Sequence, residues 1–175
     1  MGGHDPERWI ASRMGKFESS GIRKVFDLAR QLKDPVNLSI GQPDFPVPEP
    51  CRLAAIRAIE AGHNSYTVTQ GLASLREKLG EQVAAKYPAH TDRKLLITSG
   101  TSGALVLALM TVLDPGDEVL ASDPWFVMYP NLPLLAGGIM KPLPTGPDFM
   151  PDPDQVANAI GPRTKAIIIN SPANP

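Results

Sequence analysis

The stretch that decides the fold runs from residue 94 to residue 113 and reads KLLITSGTSGALVLALMTVL. Residues 95–98 form a short apolar run typical of a buried strand, and residues 104–113 are apolar on nearly every side, which is typical of a buried helix. Small and hydroxyl-bearing residues fill the turn 99–103 between them. The order strand, tight turn, buried helix predicts the beginning of an α/β sheet.

The rest of the sequence repeats this alternation on both sides of that stretch. Downstream, strands are predicted at 118–122, 139–143 and 165–170, with helices at 130–136 and 152–160 and a β-turn at 114–117. Upstream, helices are predicted at 20–33 and 48–61, a third helix carries an apolar stripe from Leu72 to Val83, and a short strand is predicted at 36–40. The predicted fold class is therefore α/β, with a mostly parallel sheet flanked by helices and right-handed crossovers.

The composition and charge of the chain disfavour several classes of function. The chain has 175 residues, of which 42% are hydrophobic and 20% charged, a balance typical of a globular domain with a real core. The formal net charge is -1 without blocks of like charge, which disfavours nucleic acid and anionic lipid as partners and favours a small polar ligand. The longest apolar stretch is too short to span a bilayer and no signal-peptide core is visible, so we expect a cytoplasmic protein.

Several common catalytic arrangements find no support in the sequence. The single Cys51 cannot form an internal disulfide, and the three histidines lie far apart without metal-ligand spacing, so no metal site is predicted. No Ser-His-Asp set or carboxylate pair stands out. Asp114, Asp117 and Asp123 are interpreted as turn residues.

The turn before the buried helix is the first candidate binding site. Gly100, Thr101 and Ser102 lie where backbone N–H groups and the positive end of a helix dipole face outward, an arrangement that binds phosphate. The alternative interpretation is a plain helix start capped by Ser99 or Thr101. The turn matches neither of the glycine-rich motifs that bind nucleoside triphosphates or dinucleotides.

Two further candidates follow predicted strands. Trp125 and Phe126 come after the strand at 118–122, where one ring could stack on a planar ligand, although ordinary packing is the commoner fate of such a pair. Asn170 and Asn174 follow the strand at 165–170, where an amide could bond a ring substituent or simply stabilise a turn. Because ligands of open α/β sheets bind at the carboxyl ends of strands, these residues predict one pocket.

Five motifs in order carry a family resemblance. They are Gly41-Gln-Pro-Asp-Phe45, Tyr66-Thr-Val-Thr-Gln-Gly71 running into Leu75-Arg76, Thr98-Ser-Gly-Thr-Ser-Gly-Ala-Leu105, Asp123-Pro-Trp-Phe-Val-Met-Tyr-Pro130 and Asn170-Ser-Pro-Ala-Asn-Pro175. Together they resemble the N-terminal portion of class I/II aminotransferases, the fold-type-I enzymes that use pyridoxal 5'-phosphate. The resemblance implies an N-terminal arm and small-domain segment at 1–47, and the first part of the large cofactor-binding domain at 48–175.

The resemblance also implies roles for individual residues. Gly100, Thr101 and Ser102 would hold the cofactor phosphate, and Phe126 would stack on the pyridine ring unless Trp125 does so. Asn174, rather than Asn170, would bond the phenolic oxygen of the ring. Tyr66 would reach the phosphate in the neighbouring subunit of a homodimer, and Gly41 would contact the substrate carboxylate through its backbone.

The implied reaction moves an amino group between an amino acid and a 2-oxoacid, with the cofactor as electron sink. The family places its Schiff-base lysine beyond residue 175, and Lys94, Lys141 and Lys165 do not stand in the required motif. The 175-residue chain is therefore expected to be an inactive N-terminal fragment, with no catalytic residue of its own, and to have strands whose partners lie elsewhere. A lyase of the same fold and a non-catalytic cofactor-binding remnant remain alternatives.

Overall fold

The computed structural model describes residues 6–17, 21–36, 38, 41, 43–90 and 92–174. The contacts within the chain divide it into two compact units. The sheet unit comprises Met1–Pro35 and Thr101–Pro175, and the helical unit comprises Val36–Gly100. The predicted domain boundary after residue 47 concerns the complete family fold and stays a prediction.

A three-stranded parallel sheet forms the centre of the sheet unit. Its strands are β1 (Glu118–Asp123), β2 (Ile139–Pro144) and β3 (Thr164–Ile168), and their order across the sheet is β2-β1-β3. β1 pairs with both neighbours in parallel. The prediction of a parallel α/β sheet is confirmed, and the three strands lie within one or two residues of their predicted positions.

Helices cover the sheet and complete a small core. α4 (Gly100–Val112) contributes Leu109, which packs with Leu113, Val119 and Leu132 in one buried cluster. α5 (Asn131–Leu135) supplies Leu132 and follows Pro130, as the prolines of this segment predict. α6 (Pro153–Ala159) begins after Asp152, whose side chain accepts a hydrogen bond from the N–H of Asp154 at 2.9 Å.

The beginning of the chain contains two short 3-10 helices, Pro6–Trp9 and Ser12–Lys16, followed by α1 (Gly21–Ala29). α1 ends four residues before the predicted end at 33, because the N–H groups of Gln31 and Leu32 bond carbonyls three residues back and tighten the chain into a turn. In the predicted strand 36–40, positions 37, 39 and 40 lie outside the described residues. Val36 and Leu38, which are described, are not in a strand.

The helical unit contains α2 (Glu49–Glu60) and α3 (Ala73–Lys86), both predicted from their apolar spacing. The predicted strand at 95–98 is wrong, because a strand is defined by its ladder of hydrogen bonds and no described strand pairs with this segment. One backbone hydrogen bond connects it to the segment before α3, where the N–H of Ile97 donates to the carbonyl of Gln70 at 3.0 Å. Across the described parts of the chain, no helix combines the length and apolar character needed to cross a membrane.

Candidate cofactor site

The carboxyl ends of β1 and β3 lie side by side. Ala121 pairs with Ile168, so the segments that follow Asp123 and Ile168 leave the sheet at the same edge, called here the carboxyl edge. These segments carry Phe126 and Asn174. β1 and β3 are neighbours in the sheet, so the two segments begin next to each other.

The segment after β1 is anchored at both ends. The carbonyl of Asp123 accepts hydrogen bonds from the hydroxyl of Thr145, at 2.7 Å, and from the Thr145 N–H, at 3.3 Å. Phe126 is half-buried and meets Tyr129 edge to face, with ring centroids 5.9 Å apart and planes at 73°. Tyr129 in turn packs against the core cluster, which restrains Phe126 from one side. Trp125 is also half-buried, so the choice between the two rings as the stacking residue stays open.

The segment after β3 is a tight, exposed loop that begins with a cis Ser171–Pro172 peptide bond. In the amide orientation that satisfies both groups, Asn170 Nδ2 donates to the Pro172 carbonyl at 3.2 Å, and Asn170 Oδ1 accepts from the Asn174 N–H at 3.0 Å. Asn170 therefore acts within its own loop. Asn174 is exposed, so its side chain is accessible to a ligand.

The predicted phosphate turn is part of a helix. α4 begins at Gly100, so Thr101 and Ser102 lie in its first turn, and both are exposed. Gly100 has φ of +69°, its N–H donates to the Thr98 carbonyl at 2.9 Å, and the Thr98 hydroxyl donates to the Gly100 carbonyl at 2.9 Å. The N–H groups of a first helical turn have no intrahelical acceptor, which leaves them free for an anion.

The direction of α4 relates this turn to the carboxyl edge. α4 leads into β1 through the turn at 114–117 and packs against the core through Leu105, Val106 and Leu109, so it runs back along the strand. Thirteen helical residues span about 20 Å, and the six residues of β1 span about the same length. From these lengths we expect Thr101 and Ser102 near the level at which β1 ends.

Two predicted contacts lie in the helical unit. The side chain of Tyr66 is fully exposed, at 104% of its reference area, so it is available to another chain. Gly41 is exposed, and a Cβ built on it would meet nothing within 4 Å.

The helical unit also contains an open cleft of about 370 Å³. It is lined by Gln70, Ala73, Arg76, Glu77, Gly80, Arg93, Lys94 and Leu95. Arg76 is tied down by a hydrogen bond from its Nε to the Gly71 carbonyl at 3.2 Å, and the Arg93 guanidinium stacks on the ring of Tyr87 at 4.3 Å. The cleft includes none of the predicted cofactor residues.

An ionic cluster that no sequence pattern predicted lies at the opposite, amino edge of the sheet. Glu118 in β1 is buried, at 7% exposure, and its carboxylate lies 2.8 Å from Arg163 and 3.2 Å from Lys141. Hydrogen bonds from Arg163 and Lys141 hold the pKa of the Glu118 carboxyl below its ordinary value, against a smaller opposing effect of burial. Glu118 is the first residue of β1, Arg163 directly precedes β3 and Lys141 is the third residue of β2, so the cluster connects three neighbouring strands.

Metal chemistry gains no support from the described residues, which contain no group of three or more His, Cys, Asp or Glu that could hold a metal ion. The aspartates of the turn at 114–117 have a structural use instead. The N–H of Asp117 donates to the Asp114 carbonyl at 3.0 Å, and the Asp114 N–H donates to the Asp117 carboxylate at 2.9 Å. These two residues are turn residues, as predicted.

An open parallel α/β sheet with its polar and aromatic loops at the carboxyl edge is the architecture of a ligand-binding α/β protein. A family model described as aminotransferase class I and II matches residues 33–175. The chain therefore belongs to the class I and II aminotransferase family, which confirms the resemblance noted in the sequence.

Individual relatives agree with this assignment. The chain is 39% identical over 167 residues to a probable aspartate aminotransferase of Methanocaldococcus jannaschii, and 41% identical over 155 residues to an aspartate/prephenate aminotransferase of Thermus thermophilus. These alignments cover 95% and 87% of this chain but 44% and 40% of the relatives. The chain thus spans less than half the length of the curated relatives it matches.

Solved structures show the same correspondence. The crystal structure of an aspartate aminotransferase from Thermotoga maritima has a TM-score of 0.87 at 33% identity, covering 95% of this chain and 46% of that one. The aspartate aminotransferase from Thermus thermophilus with maleate also has a TM-score of 0.87, at 38% identity, covering 95% of this chain and 45% of that one. The prediction of an incomplete fold-type-I domain is confirmed at this level.

Proposed function

We propose that this chain is the N-terminal part of a pyridoxal-phosphate-dependent aminotransferase that moves an amino group between an amino acid and a 2-oxoacid. The observation that carries the proposal is the pairing of Ala121 with Ile168, since it puts the loops of Phe126 and Asn174 at one edge of the sheet. Membership of the aminotransferase family supports the same reaction.

The residues present fit the chemical groups of this cofactor. A phosphate dianion needs hydrogen-bond donors, and the exposed first turn of α4 offers backbone N–H groups and the hydroxyls of Thr101 and Ser102. A flat heteroaromatic ring needs a restrained aromatic surface, which Phe126 provides. A phenolic oxygen needs a neutral donor, and the amide of Asn174 is exposed for that contact.

The bound cofactor would supply an electron sink for the negative charge that develops at the substrate Cα. The residues of this chain would bind and orient it. Thr101 and Ser102 would fix the phosphate end, Phe126 would fix the plane of the ring, and Asn174 would stabilise negative charge on the phenolic oxygen. Gly41 would offer its backbone to the substrate carboxylate.

The reaction is tested in the full protein, loaded with pyridoxal phosphate. L-Aspartate is the first amino donor to try, because several relatives carry aspartate in their names, and 2-oxoglutarate is the acceptor. We expect two separable half-reactions, one with each substrate. Elimination products without any amino transfer would favour a lyase, and cofactor binding without turnover would favour a non-catalytic remnant.

The phosphate contact is tested by comparing pyridoxal phosphate with pyridoxal. Ser102→Ala removes one donor to a charged group, so we expect about a 10- to 150-fold loss of affinity for the phosphorylated form. Affinity for pyridoxal should not change. Thr111→Ala is the matched control, because the Thr111 hydroxyl bonds the Leu107 carbonyl at 2.7 Å near the other end of α4. Equal losses for both ligands would contradict the proposed phosphate site.

We also propose a homodimer in which Tyr66 reaches the phosphate bound by the neighbouring subunit. The complete exposure of Tyr66 supports this role. The test mixes subunits carrying Tyr66→Phe with subunits carrying Asn174→Ala, each of which is impaired alone. If Tyr66 acts across the interface, each mixed dimer has one intact site, which restores on the order of a quarter of all sites after random pairing. No recovery would place Tyr66 in its own subunit's site.

A further inference from the structure

We infer that Asn170 is a positioning residue that fixes the loop following β3 and thereby sets the location of Asn174. The loop is the segment from Asn170 to Asn174. The functional consequence rests on the proposed contact between Asn174 and the cofactor, but the structural statement does not.

The two hydrogen bonds of the Asn170 amide carry the inference. One goes from Nδ2 to the Pro172 carbonyl, two residues ahead, at 3.2 Å. The other comes from the Asn174 N–H, four residues ahead, to Oδ1 at 3.0 Å. A single side chain thus connects the beginning, the middle and the end of the loop.

The side-chain amide of Asn170 makes both bonds, which neither aspartate nor alanine could do. Asn170 provides a donor and an acceptor on one short, planar group, whereas aspartate at neutral pH provides acceptors alone and alanine provides neither. The direction of each bond follows from its partner, because a carbonyl can only accept and a backbone N–H can only donate.

Burial cannot replace these bonds. Every residue from Asn170 to Asn174 is exposed, so little apolar packing restrains the loop. The preceding strand is firmly placed, since Ile168 pairs with Ala121 in β1. Asn170 therefore fixes Asn174 relative to β3, and the loop of Asn174 leaves the sheet at the carboxyl edge.

The inference predicts a change at Asn174 when Asn170 is substituted. In the cofactor-free full protein, Asn170→Ala should speed hydrogen exchange of the Asn174 amide by about 2- to 10-fold, the effect of losing one ordinary hydrogen bond. Asn170→Asp keeps the acceptor for that amide, so its exchange should stay within about 2-fold of the unsubstituted protein. Asn158→Ala, at an exposed position of α6, is the matched control and should change neither.

A second measurement separates positioning from general destabilisation. Asn170→Ala should weaken pyridoxal phosphate binding by about 2- to 10-fold and should shift the pH profile of the bound cofactor's visible absorbance in the same direction as Asn174→Ala, by a smaller amount. Asn170→Asp should restore part of this shift. Loss of thermal stability without a shift of the profile would overturn the positioning role.

The hydrogen-exchange result decides the structural statement independently of the cofactor. Unchanged exchange at Asn174 in Asn170→Ala would overturn the inference, as would equally fast exchange in Asn170→Asp and Asn170→Ala. If the unsubstituted protein does not bind pyridoxal phosphate, the proposed function fails, and the exchange comparison still tests whether Asn170 holds the loop.

Discussion

Gly71 in the helical unit offers the sharpest test of the packing. Its φ is +100°, and a Cβ built on it would lie 2.5 Å from Ile97 Cγ1 and 2.6 Å from Ile97 Cβ, far inside ordinary van der Waals contact. The neighbouring residue Gln70 accepts the hydrogen bond from the Ile97 N–H. Gly71→Ala would therefore push apart the backbone hydrogen bond that joins Ile97 to Gln70.

Two costs add up in this variant. A side chain at positive φ costs about 1–2 kcal/mol. Forcing an extra methyl group into a filled space costs about 1–3 kcal/mol more, because the Ile97 side chain and its backbone must shift. The expected loss of unfolding free energy is therefore about 2–5 kcal/mol.

Gly80→Ala is the matched control in the same unit. Gly80 lies inside α3, and its added Cβ would meet only Leu95 Cδ1 at 3.8 Å, an ordinary contact. Alanine is the better helix former, so this substitution should stabilise by about 0.5–1 kcal/mol. The two glycine-to-alanine changes are thus expected to have opposite signs.

The assay is thermal and urea unfolding of the full protein, together with hydrogen exchange at the Ile97 amide. Gly71→Ala should lower the midpoint and speed exchange at Ile97, whereas Gly80→Ala should do neither. An Ile97→Ala background should restore only part of the loss, because the Cβ of residue 97 remains 2.6 Å from the new methyl group. Equal stability of Gly71→Ala and the unsubstituted protein would refute the reasoning.

Three further predictions concern the sheet unit and the chain as a whole. Because the folded pKa of Glu118 is lowered, its ion pairs stabilise the fold above the unfolded pKa of about 4.3 and lose that effect as the pH falls through the folded value. Thermal melts should therefore show Glu118→Gln less stable than the unsubstituted protein at pH 7 and the two converging in acid, and a difference independent of pH would contradict this. Asp152→Ala removes the cap of α6 and should lower the free energy of unfolding in urea by about 0.5–2 kcal/mol. Asp154→Ala should lower it less, because the backbone N–H of residue 154 can still donate to Asp152. The 175-residue chain by itself should self-associate and unfold without a sharp transition, because Leu107 and Met110 of its apolar helix α4 are 50% and 58% exposed, and a cooperative transition of a monomer at low concentration would disprove this.

Several strands, one helix start and the family could be predicted from short stretches of sequence. The runs at 118–122 and 139–143 could be predicted as strands because each is a short stretch bounded by turn residues, and the observed strands agree within one residue. Asp152 and Pro153 predict the start of α6. The signal is local, because the Asp152 side chain caps the helix by accepting from the N–H of Asp154, two residues away. The ordered motifs also identified the aminotransferase family, and the family match over residues 33–175 confirms it.

The predictions were wrong or missing where the local structure depends on residues far away in the sequence. The run at 95–98 has the composition of a buried strand, but the described residues provide it with no strand partner. Glu118 lies 23 positions from Lys141 and 45 from Arg163 (141 − 118 and 163 − 118), so nothing local signals that their charges meet. A lone charged residue at the start of a buried strand was the available clue.

The sequence by itself determined most of the elements and their order, the family, and the residues proposed to contact a cofactor. Only the tertiary structure decided that β1 lies between β2 and β3, that Phe126 rests against Tyr129, and that Asn170 closes the loop of Asn174. The physical reason is the separation, along the sequence, of the groups that interact. Helix spacing, caps and turns depend on groups a few residues apart, whereas strand neighbours and ion pairs depend on which distant segments the chain brings together.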